Sequence, residues 1–286
     1  MKIAVIGAGL SGLVSMKECI ECGLEVVCFE KSNVIGGLWH YRDDGSVSVS
    51  KKTVSLTSKH LMAFSDFPMP EEFPEFLHNK YYLKYLLSYA EKYRLKDHVK
   101  FNTVVKGIAK NDDYEKTGRW SVTFVQENKP SATEIFDGVF VASGRYREIF
   151  RPHFEGVEKF TGRLFNCQTF KNAAGFENRS TLVVGFGHTA CETASVLASV
   201  SSQCANKKLI SNKTQVVSDE LPFYISSGQV VVKPNVKKFT GGNEVQFEHC
   251  NRSSFVSREL GLSQAEIREL PYLDDLAIIL GTKPKI

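Results

Sequence analysis

The sequence has no apolar run that approaches the ~18 residues of a membrane helix. Its first apolar run, residues 3–6, breaks into glycines at once and has no small-residue cleavage site behind it, so no secretory signal peptide is indicated. Lysine and arginine form no dense block, and a formal net charge of +4 is small for 286 residues. We therefore expect a cytoplasmic protein with no transmembrane segment and no nucleic-acid partner.

The sequence also has no visible acid–base triad and no cluster of metal ligands. Its seven cysteines are odd in number and scattered, and without a secretory signal they are expected to be reduced thiols. Cys19 and Cys22 form a CxxC pair on a predicted helix, where core or helix-surface thiols are favoured over a redox pair. With 42% hydrophobic and 24% charged residues, the composition is typical of a globular chain of one or two domains.

What is present is a complete dinucleotide-binding fingerprint at the start of the chain. Residues 2–6 are a short β-branched apolar run, typical of a buried parallel strand, and residues 13–22 predict a helix. The segment between them, Gly7–Gly12, reads GAGLSG. Residues 25–29 predict a second strand, which Glu30 follows. This segment matches the fingerprint in full: a strand, GxGxxG, a helix, a second strand and an acid roughly 20 residues on.

Each part of this fingerprint has a physical purpose. Gly7 makes the tight turn, Gly9 lets the backbone approach a pyrophosphate, and Gly12 lets helix and strand pack closely. The helix N-terminus offers free N–H groups and the positive end of a dipole to phosphates. Glu30 can accept hydrogen bonds from a ribose. The residues expected to hold the dinucleotide here are Gly7, Ala8, Gly9, Leu10, Ser11, Gly12, Glu30 and Lys31.

The residues after Glu30 indicate which dinucleotide is bound. They read EKSNVIGGLW, with a glycine pair just past the acid. Glycines there allow the chain to fold back over the pyrophosphate and ribityl chain of a flavin. The pattern resembles the FAD-binding opening of the flavin monooxygenases, which implies FAD and not NAD at the first loop. The resemblance adds Gly37, Leu38 and Trp39 to the expected contacts.

Further stretches make the resemblance specific. Residues 64–70 (FSDFPMP) and 76–79 (FLHN) match the animal-type flavin-containing monooxygenases almost word for word. The similarity runs nearly unbroken from residue 1 to about 202 and resumes at about 216–247 and 270–285. The chain is identified as a shortened, dimethylaniline monooxygenase-like member of that family. The family often has a C-terminal tail that tethers it to the endoplasmic reticulum. We expect no such tail in this chain, so association with that membrane rests on the resemblance alone.

The family signature FxGxxxHxxxF/Y fits residues 160–170, except that Asn166 stands in the histidine position. Asparagine can still hydrogen-bond, so the loop can keep its shape, whereas a role specific to histidine is in doubt. A structural linker between domains is an equally good interpretation of this segment. Residues 139–144 predict a buried strand and a small-residue turn, which in the family closes over FAD. Ser143 and Gly144 are therefore expected cofactor contacts.

A second glycine loop follows the apolar residues 182–184 and precedes a helix predicted over 190–200. Alanine at its third position is an accepted variant of the fingerprint. Since members of the family use NADPH to reduce FAD, the resemblance implies that this loop holds the NADP pyrophosphate. His188 can equally be a plain helix-start residue. The expected contacts are Gly185, Gly187, His188, Thr189, Ala190, Cys191 and Glu192. Lys213 is the candidate for binding the 2′-phosphate; alternatively, it is an exposed lysine without a role.

The resemblance implies a reaction as well. NADPH reduces FAD, O₂ adds to give a flavin hydroperoxide, and one oxygen atom passes to a small-molecule soft nucleophile, an amine nitrogen or a sulfide sulfur. The family places an asparagine beside the reacting flavin, in a TNTSK-like stretch. Residues 55–59 read SLTSK, so Leu56 occupies that position, with Thr57 and Ser58 as possible substitutes. Two alternatives therefore stay open: an uncoupled NADPH oxidase that releases H₂O₂, and a truncated FAD-binding protein without turnover.

The expected fold is α/β, with two Rossmann-like dinucleotide-binding domains. Residues 1–150 are expected to form the FAD domain, completed by residues 251–286 with a helix from residue 263. Residues 151–250 are expected to form a truncated NADP domain. Its sheet is predicted to combine residues 182–184, 208–211, 229–232 and 244–247. Residues 120–137 predict a hairpin and residues 81–93 a core helix.

Overall fold

The computed structural model describes residues 1–144, 153–166, 169–185, 187–200, 203–207, 220–242, 244–248 and 273–278. The chain divides into two compact units, Met1–Arg147 and Glu148–Ile286. Among the described residues, no helix is long and apolar enough to span a membrane. In the same part of the chain, no three His, Cys, Asp or Glu side chains group as a metal site.

Unit 1 is an α/β layer with two further sheets. Its elements, in chain order, are β1 (Lys2–Ile6), α1 (Leu10–Glu21), β2 (Glu25–Phe29), β3 (Val54–Ser58), α2 (Lys59–Met62), β4 (Phe76–His78), α3 (Asn79–Lys92), β5 (Val99–Lys100), β6 (Thr103–Lys110), α4 (Tyr114–Thr117), β7 (Trp120–Gln126), β8 (Ser131–Phe136) and β9 (Gly138–Val141). The helix predicted over residues 13–22 is confirmed, and it begins three residues earlier because the last residues of the glycine loop already form its first turn.

The main sheet of unit 1 is parallel, with strand order β5-β2-β1-β9. Ile3 lies opposite Val26 on one side and Gly138 on the other, so β1 is a central strand. Its three middle residues are buried, as expected for a strand covered on both faces. α1 covers one face and contributes the fully buried side chains of Leu13 and Met16.

The opposite face of this sheet packs against an antiparallel sheet of order β6-β7-β8. The ring of Phe29 lies 4.7 Å from that of Phe124 and 5.9 Å from that of Phe136. The predicted hairpin is confirmed, since β7 and β8 pair around a turn in which Asn128 has a φ of 60°. The predicted core helix is confirmed as α3, which buries Tyr82, Tyr85 and Tyr89.

Unit 2 contains a second parallel sheet. Its elements are β10 (Arg163–Asn166), β11 (Ser180–Val183), α5 (His188–Ala198), β12 (Gln203–Lys207), α6 (Leu221–Ser226), β13 (Val230–Lys233), β14 (Val236–Gly241), β15 (Glu244–Phe247) and β16 (Leu273–Ile278). The sheet has the order β10-β16-β11-β12-β13. All four pairings in it are parallel.

The composition of this second sheet corrects two expectations. Residues 244–247 do not join it: they form an antiparallel hairpin with β14, because a tight turn at Gly241 and Gly242 returns the chain directly onto its neighbour. The strand beside β11 is Gln203–Lys207, which the sequence did not predict, whereas the predicted strand at 208–211 lies outside the described residues. The strand predicted at 229–232 is observed one residue later, at Val230–Lys233.

The expectation that residues 251–286 complete the first domain is also corrected where the structure describes them. Leu273–Ile278 lies in the sheet of unit 2, paired in parallel with β10 on one side and with β11 on the other. Both hydrogen-bonding edges of this strand are therefore used within unit 2. The helix expected from residue 263 falls outside the described residues.

Candidate functional site

The first glycine loop connects β1 to α1 and is fixed by backbone contacts. Gly7 has a φ of +107°, and its N–H donates to the carbonyl of Phe29 at 2.9 Å. A Cβ on Gly7 would lie 2.6 Å from the carbonyl oxygen of Ala142, and one on Gly12 would lie 1.8 Å from the carbonyl oxygen of Gly7. Neither position therefore has space for a side chain, as the fingerprint predicts.

The glycine pair predicted to fold back over a cofactor lies directly against this loop. Gly36 and Gly37 have φ values of +116° and +52°, and the N–H of Gly36 donates to the carbonyl of Ala8 at 3.1 Å. A Cβ on Gly37 would lie 2.9 Å from the Cα of Gly9. A Cβ on Gly9 itself would meet only the Cα of Gly37, at 3.6 Å. The space over Gly9 is thus one that a side chain would fill and that a phosphate can enter.

The start of α1 suits an anion. Gly9 is the N-cap and provides no side-chain hydrogen bond to the first turn, which also contains no acidic residue. The free N–H groups of such a turn, together with the helix dipole, bind phosphate. Leu10 is half-buried and Ser11 exposed, so the predicted loop contacts are brought together at the carboxyl end of β1.

Glu30 is held at the loop by three hydrogen bonds. The N–H of Ala8 donates to Oε2 at 2.8 Å, and the N–H and Oγ of Ser32 donate to Oε1 at 2.9 and 2.7 Å. The residue is only 6% exposed. A carboxylate has about four acceptor sites, so capacity for a ribose hydroxyl remains. Ser32 was not predicted, although a serine two residues after an acid is a recognisable signal for such a turn.

A cavity of about 340 Å³ opens one residue beyond Glu30. The strand that begins at Thr103 borders it, and the N–H of Thr103 donates to the carbonyl of Glu30 at 2.9 Å. The lining residues are Lys31, Asn102, Val104, Lys106, Val125 and Glu127. Only Lys31 was predicted, because the others lie in β6 and β7 or directly beside them and carry no local motif.

The other predicted contacts of unit 1 lie on two segments, one after β9 and one after Gly36. Ser143 and Gly144 are exposed after β9, and a Cβ on Gly7 would lie 3.7 Å from the Cα of Ser143, so this turn adjoins the glycine loop. Leu38 and Trp39 lie in a short 3-10 turn, Gly37–Trp39, that starts at the second glycine of the pair. The structure therefore brings these residues together around the first loop.

The stretch at the asparagine position of the family lies on a different element. Leu56 is 42% exposed on β3, on the same face as Val54 and opposite the buried Ser55. Thr57 is exposed, and Ser58 is the N-cap of α2. This face of β3 consequently presents hydrocarbon at position 56 where the family has an amide.

The second glycine loop also connects a strand to a helix, but fewer neighbouring atoms exclude side chains from it. Gly185 has a φ of +138°, and Gly187 is the N-cap of α5, again without a side-chain hydrogen bond to the first turn. A Cβ on Gly187 would meet nothing within 4 Å. The Nδ1 atom of His188 is buried and has no hydrogen-bond partner among the described residues.

The helix after this loop divides the predicted contacts into two groups. Thr189 is exposed and Glu192 half-buried, whereas Ala190 and Cys191 are each 1% exposed and pack in the core of unit 2. Burial raises the pKa of the Cys191 thiol to about 11. The side chains of Ala190 and Cys191 therefore serve packing, and Lys213 lies outside the described residues.

The signature segment forms part of the sheet of unit 2. Asn166 is the last residue of β10 and pairs with Ile278 of β16. Its carbonyl accepts hydrogen bonds from the N–H and the Oγ1 of Thr169, at 2.9 and 2.8 Å. The segment thus closes a turn at the carboxyl end of an edge strand.

The sequence model of the family described as "FMO-like: Flavin-binding monooxygenase-like" matches residues 1–214. The chain belongs to this family. Among curated proteins it is similar to "Dimethylaniline monooxygenase [N-oxide-forming] 2" of Rattus norvegicus, 41% identical over 210 residues, which is 71% of this chain and 38% of the relative. It is also similar to "Flavin-containing monooxygenase 3" of Homo sapiens, 39% identical over 218 residues, which is 74% of this chain and 40% of the relative. The flavin-binding monooxygenase-like chain thus spans about two fifths of the length of these curated relatives.

Solved structures of flavin monooxygenases share the fold of this family member. The S-allyl-L-cysteine S-oxygenase from Allium sativum superposes with a TM-score of 0.79 at 18% identity, covering 100% of this chain and 63% of that one. Tmm from Pelagibacter sp. strain HTCC7211 gives 0.78 at 21% identity, covering 98% and 61%. The predicted α/β class with two Rossmann-like sheets is confirmed.

Proposed function

We propose that this chain is an FAD- and NADPH-dependent monooxygenase that transfers one oxygen atom of O₂ to an amine nitrogen or a sulfide sulfur. FAD is held by unit 1 and NADPH by unit 2. The observation that carries the proposal is the contact of Gly37 with Gly9 beside the buried Glu30, in a member of the flavin-binding monooxygenase-like family. When bound, FAD supplies the oxygen chemistry, and the protein supplies binding, orientation and shelter from water.

The residues of unit 1 fit FAD in three places. The open space over Gly9 and the first turn of α1 accept the pyrophosphate. The remaining acceptor capacity of Glu30 meets a ribose hydroxyl. The cavity of about 340 Å³ beyond Lys31 lies next to that ribose position and takes the adenine ring.

The residues of unit 2 fit a second dinucleotide. The open space over Gly187 leaves room for a pyrophosphate at the first turn of α5. The Nδ1 of His188, which has no hydrogen-bond partner in the described part of the chain, is a further polar group at this turn. We assign the second loop to NADPH, with Lys213 as the candidate for the 2′-phosphate.

Leu56 favours a second candidate function, an NADPH oxidase that releases H₂O₂. Its side chain has neither a donor nor an acceptor, so it cannot replace the amide that the family places beside the flavin. Oxygen would then be reduced without being transferred. A chain that spans about two fifths of its relatives can also bind FAD without turnover, which is the third candidate.

The first test is the visible absorption spectrum of the purified protein with FAD, before and after NADPH is added under anaerobic conditions. We expect a bound flavin spectrum that NADPH bleaches. Gly9→Val should abolish flavin binding, because the side chain fills the pyrophosphate space. Gly187→Val, its matched counterpart, should keep the flavin and abolish bleaching.

The outcomes separate the three candidates. Bleaching followed by oxygenation of a tertiary amine or a dialkyl sulfide supports the monooxygenase. Bleaching with stoichiometric H₂O₂ and no oxygenated product supports the oxidase. A flavin spectrum that NADPH leaves unchanged contradicts both and leaves an FAD-binding protein. A chain that binds no FAD contradicts all three.

A further inference from the structure

The core of unit 1 contains a line of oxidisable rings with one gap between Tyr85 and Tyr89. The Trp39 ring lies 4.6 Å from that of Tyr82, measured between centroids, and Tyr82 stacks on Tyr85 at 5.8 Å. One helical turn further along α3, the Tyr89 ring lies 4.9 Å from that of Tyr93. We call Trp39, Tyr82, Tyr85, Tyr89 and Tyr93 the aromatic chain.

The step from Tyr85 to Tyr89 is bridged by two phenylalanine rings. Phe64 lies 5.4 Å from Tyr85 and 4.5 Å from Tyr89, and Phe67 lies 5.2 and 5.5 Å from the same two rings. Phenylalanine is much harder to oxidise than tyrosine or tryptophan. These rings therefore fill the gap with dense packing through which an electron can tunnel, but they hold no charge themselves.

Packing alone does not account for the hydroxyl group of Tyr89. Tyr89 is fully buried, and its hydroxyl has no hydrogen-bond partner among the described residues. A buried polar group without a partner costs about 1–3 kcal/mol. Phenylalanine would pack at position 89 without that cost. The tyrosine is thus energetically unfavourable as a core residue, which points to a use for its oxidisable ring.

The surface end of the chain differs chemically from its interior. The Tyr93 hydroxyl donates to Oδ2 of Asp66 at 3.3 Å, and Tyr93 is half-buried. The hydroxyls of Tyr82 and Tyr85 donate only to backbone carbonyls, at 3.4 and 2.6 Å. A carbonyl cannot take a proton, whereas a carboxylate can. Tyr93 is therefore the member of the aromatic chain that can lose its proton on oxidation.

The inner end of the chain adjoins the proposed flavin site. Trp39 ends the 3-10 turn that starts at Gly37, and Gly37 touches Gly9 of the first loop. We propose that the aromatic chain conducts single electrons from Tyr93 to the flavin site, so that an oxidising equivalent formed there is discharged at the protein surface. This inference rests on the proposed function, because it requires FAD at the first loop.

The groups present account for both the electron and the proton of this transfer. With FAD bound, Trp39 would lose one electron to the light-excited oxidised flavin, which is the one-electron oxidant. Trp39 is then refilled from Tyr93 through Tyr82, Tyr85 and Tyr89, each of which gives up and regains one electron while keeping its phenolic proton. Tyr93 loses one electron, and its phenolic proton passes to Asp66. Hydrogen bonds from Lys17 hold the pKa of Asp66 below its usual range, so it is a weak base. An oxidised tyrosine is nevertheless a far stronger acid than any carboxylic acid, so the proton still moves to Asp66.

The test uses the full chain loaded with FAD, whose light-excited oxidised flavin serves as the one-electron oxidant. Time-resolved absorption follows the tyrosyl radical after a short blue pulse, and flavin absorbance gives the bound FAD. We expect a long-lived tyrosyl radical in the wild type and its loss in Tyr93→Phe. Tyr81→Phe is the matched control, since Tyr81 lies on α3 against Phe73, outside the aromatic chain.

Two further variants test the individual steps. Tyr82→Phe keeps the ring and removes an oxidisable member, so the radical should be lost while FAD remains bound. Asp66→Asn keeps an acceptor oxygen but removes the base, so the radical should become short-lived and its solvent-deuterium isotope effect should disappear. A purely structural role for these residues predicts neither change.

Each failure has a separate meaning. Equal radical yields in Tyr93→Phe, Tyr82→Phe and Tyr81→Phe, with FAD bound in all, overturn the electron route and leave the proposed function intact. A wild-type protein that binds FAD and forms no tyrosyl radical has the same meaning. A wild-type protein that binds no FAD overturns the proposed function, and the electron route with it.

Discussion

The two glycine loops have the same order of elements and very different surroundings. In the first, a Cβ at Gly12 would lie 1.8 Å from the carbonyl oxygen of Gly7, and one at Gly37 would lie 2.9 Å from Gly9. In the second, a Cβ at Gly187 meets nothing within 4 Å, and the third fingerprint position is Ala190, whose Cβ is accommodated in the core.

This difference shows what each glycine is needed for. The protein itself excludes side chains from the first loop, because backbone segments approach it from β1, β9 and the glycine pair. No described part of the chain excludes a side chain at Gly187. A requirement for glycine there would consequently come from a bound ligand. A substitution at Gly187 therefore tests ligand binding with less effect on folding than a substitution in the first loop.

The largest expected effect compares the two loops directly. Gly12→Ala forces the backbone of the first loop apart, and we expect a loss of stability of about 3 kcal/mol or more together with loss of FAD binding. Gly187→Ala exchanges glycine for alanine at an N-cap and should cost no more than about 1 kcal/mol. Urea unfolding of both variants measures the difference. Equal losses would mean that the second loop is as constrained as the first.

The next effect concerns the acid of the first loop. Glu30→Gln keeps an oxygen acceptor for Ala8 and removes the charge, and charged hydrogen bonds contribute about 1.5–3 kcal/mol. We expect FAD to bind at least about tenfold more weakly. Glu192→Gln in the second loop should leave FAD affinity unchanged. Titration of the flavin fluorescence measures both, and a normal affinity in Glu30→Gln would contradict the assignment of Glu30 to the ribose.

A smaller effect is expected from the ion pairs that Lys17 of α1 makes with Glu21 and Asp66. Lys17 Nζ lies 2.7 Å from Oδ2 of Asp66 and 2.7 Å from Oε2 of Glu21, whereas α5 has no acidic residue in its first turn and no basic residue in its last. The hydrogen bond from Lys17 lowers the folded-state pKa of Asp66. Asp66 therefore adds stability above its unfolded pKa of about 4, and this is lost as pH falls through the lower folded value.

Lys17→Met tests this contribution of the ion pair. The variant should unfold at a lower urea concentration than the wild type at pH 7. The gap should narrow as pH falls below about 4 and through the lowered folded-state pKa of Asp66, below which Asp66 is protonated in both the folded and the unfolded state. Lys116→Met, on the exposed α4, should match the wild type at every pH. A gap that stays constant with pH would assign the loss to packing and not to the charge on Asp66.

The smallest effect on stability is expected at Leu56. Because its side chain is 42% exposed, Leu56→Asn should change the free energy of unfolding by no more than about 0.5 kcal/mol. The same change restores an amide at the family position, so we expect less H₂O₂ per NADPH consumed. A peroxide assay beside NADPH oxidation measures this ratio. An unchanged ratio would show that position 56 does not govern oxygen release.

The first loop was predictable because its information is local. Gly7, Gly12 and Glu30 lie within one strand–helix–strand unit, where spacing alone fixes their relation. The cavity beyond Lys31 was not, since Val125 comes from β7 and Asn102 directly precedes β6, both far along the chain and neither with a motif. Such residues meet only through the sheet pairing, which the sequence does not encode locally.

The strands of unit 2 show the same limit. Gln203–Lys207 reads QCANK and Leu273–Ile278 reads LDDLAI, so neither has the apolar run that predicts a buried strand. Their strand state follows from parallel pairing with β11, one on each side. By contrast, β11 itself was predicted from its apolar residues and the glycines that follow.

The position of β16 has a consequence for how the protein is made. β10 and β11 are separated in the sheet by a strand that a ribosome synthesises only after β11 to β15 have emerged. Unit 2 therefore cannot close its sheet early, whereas all strands of unit 1 are available once β9 is complete. Contacts between distant segments slow folding, and domains near the N-terminus generally fold first during synthesis. Nascent chains arrested after β9 should already protect unit 1 from proteolysis, while unit 2 gains protection only after Ile278 has left the ribosome.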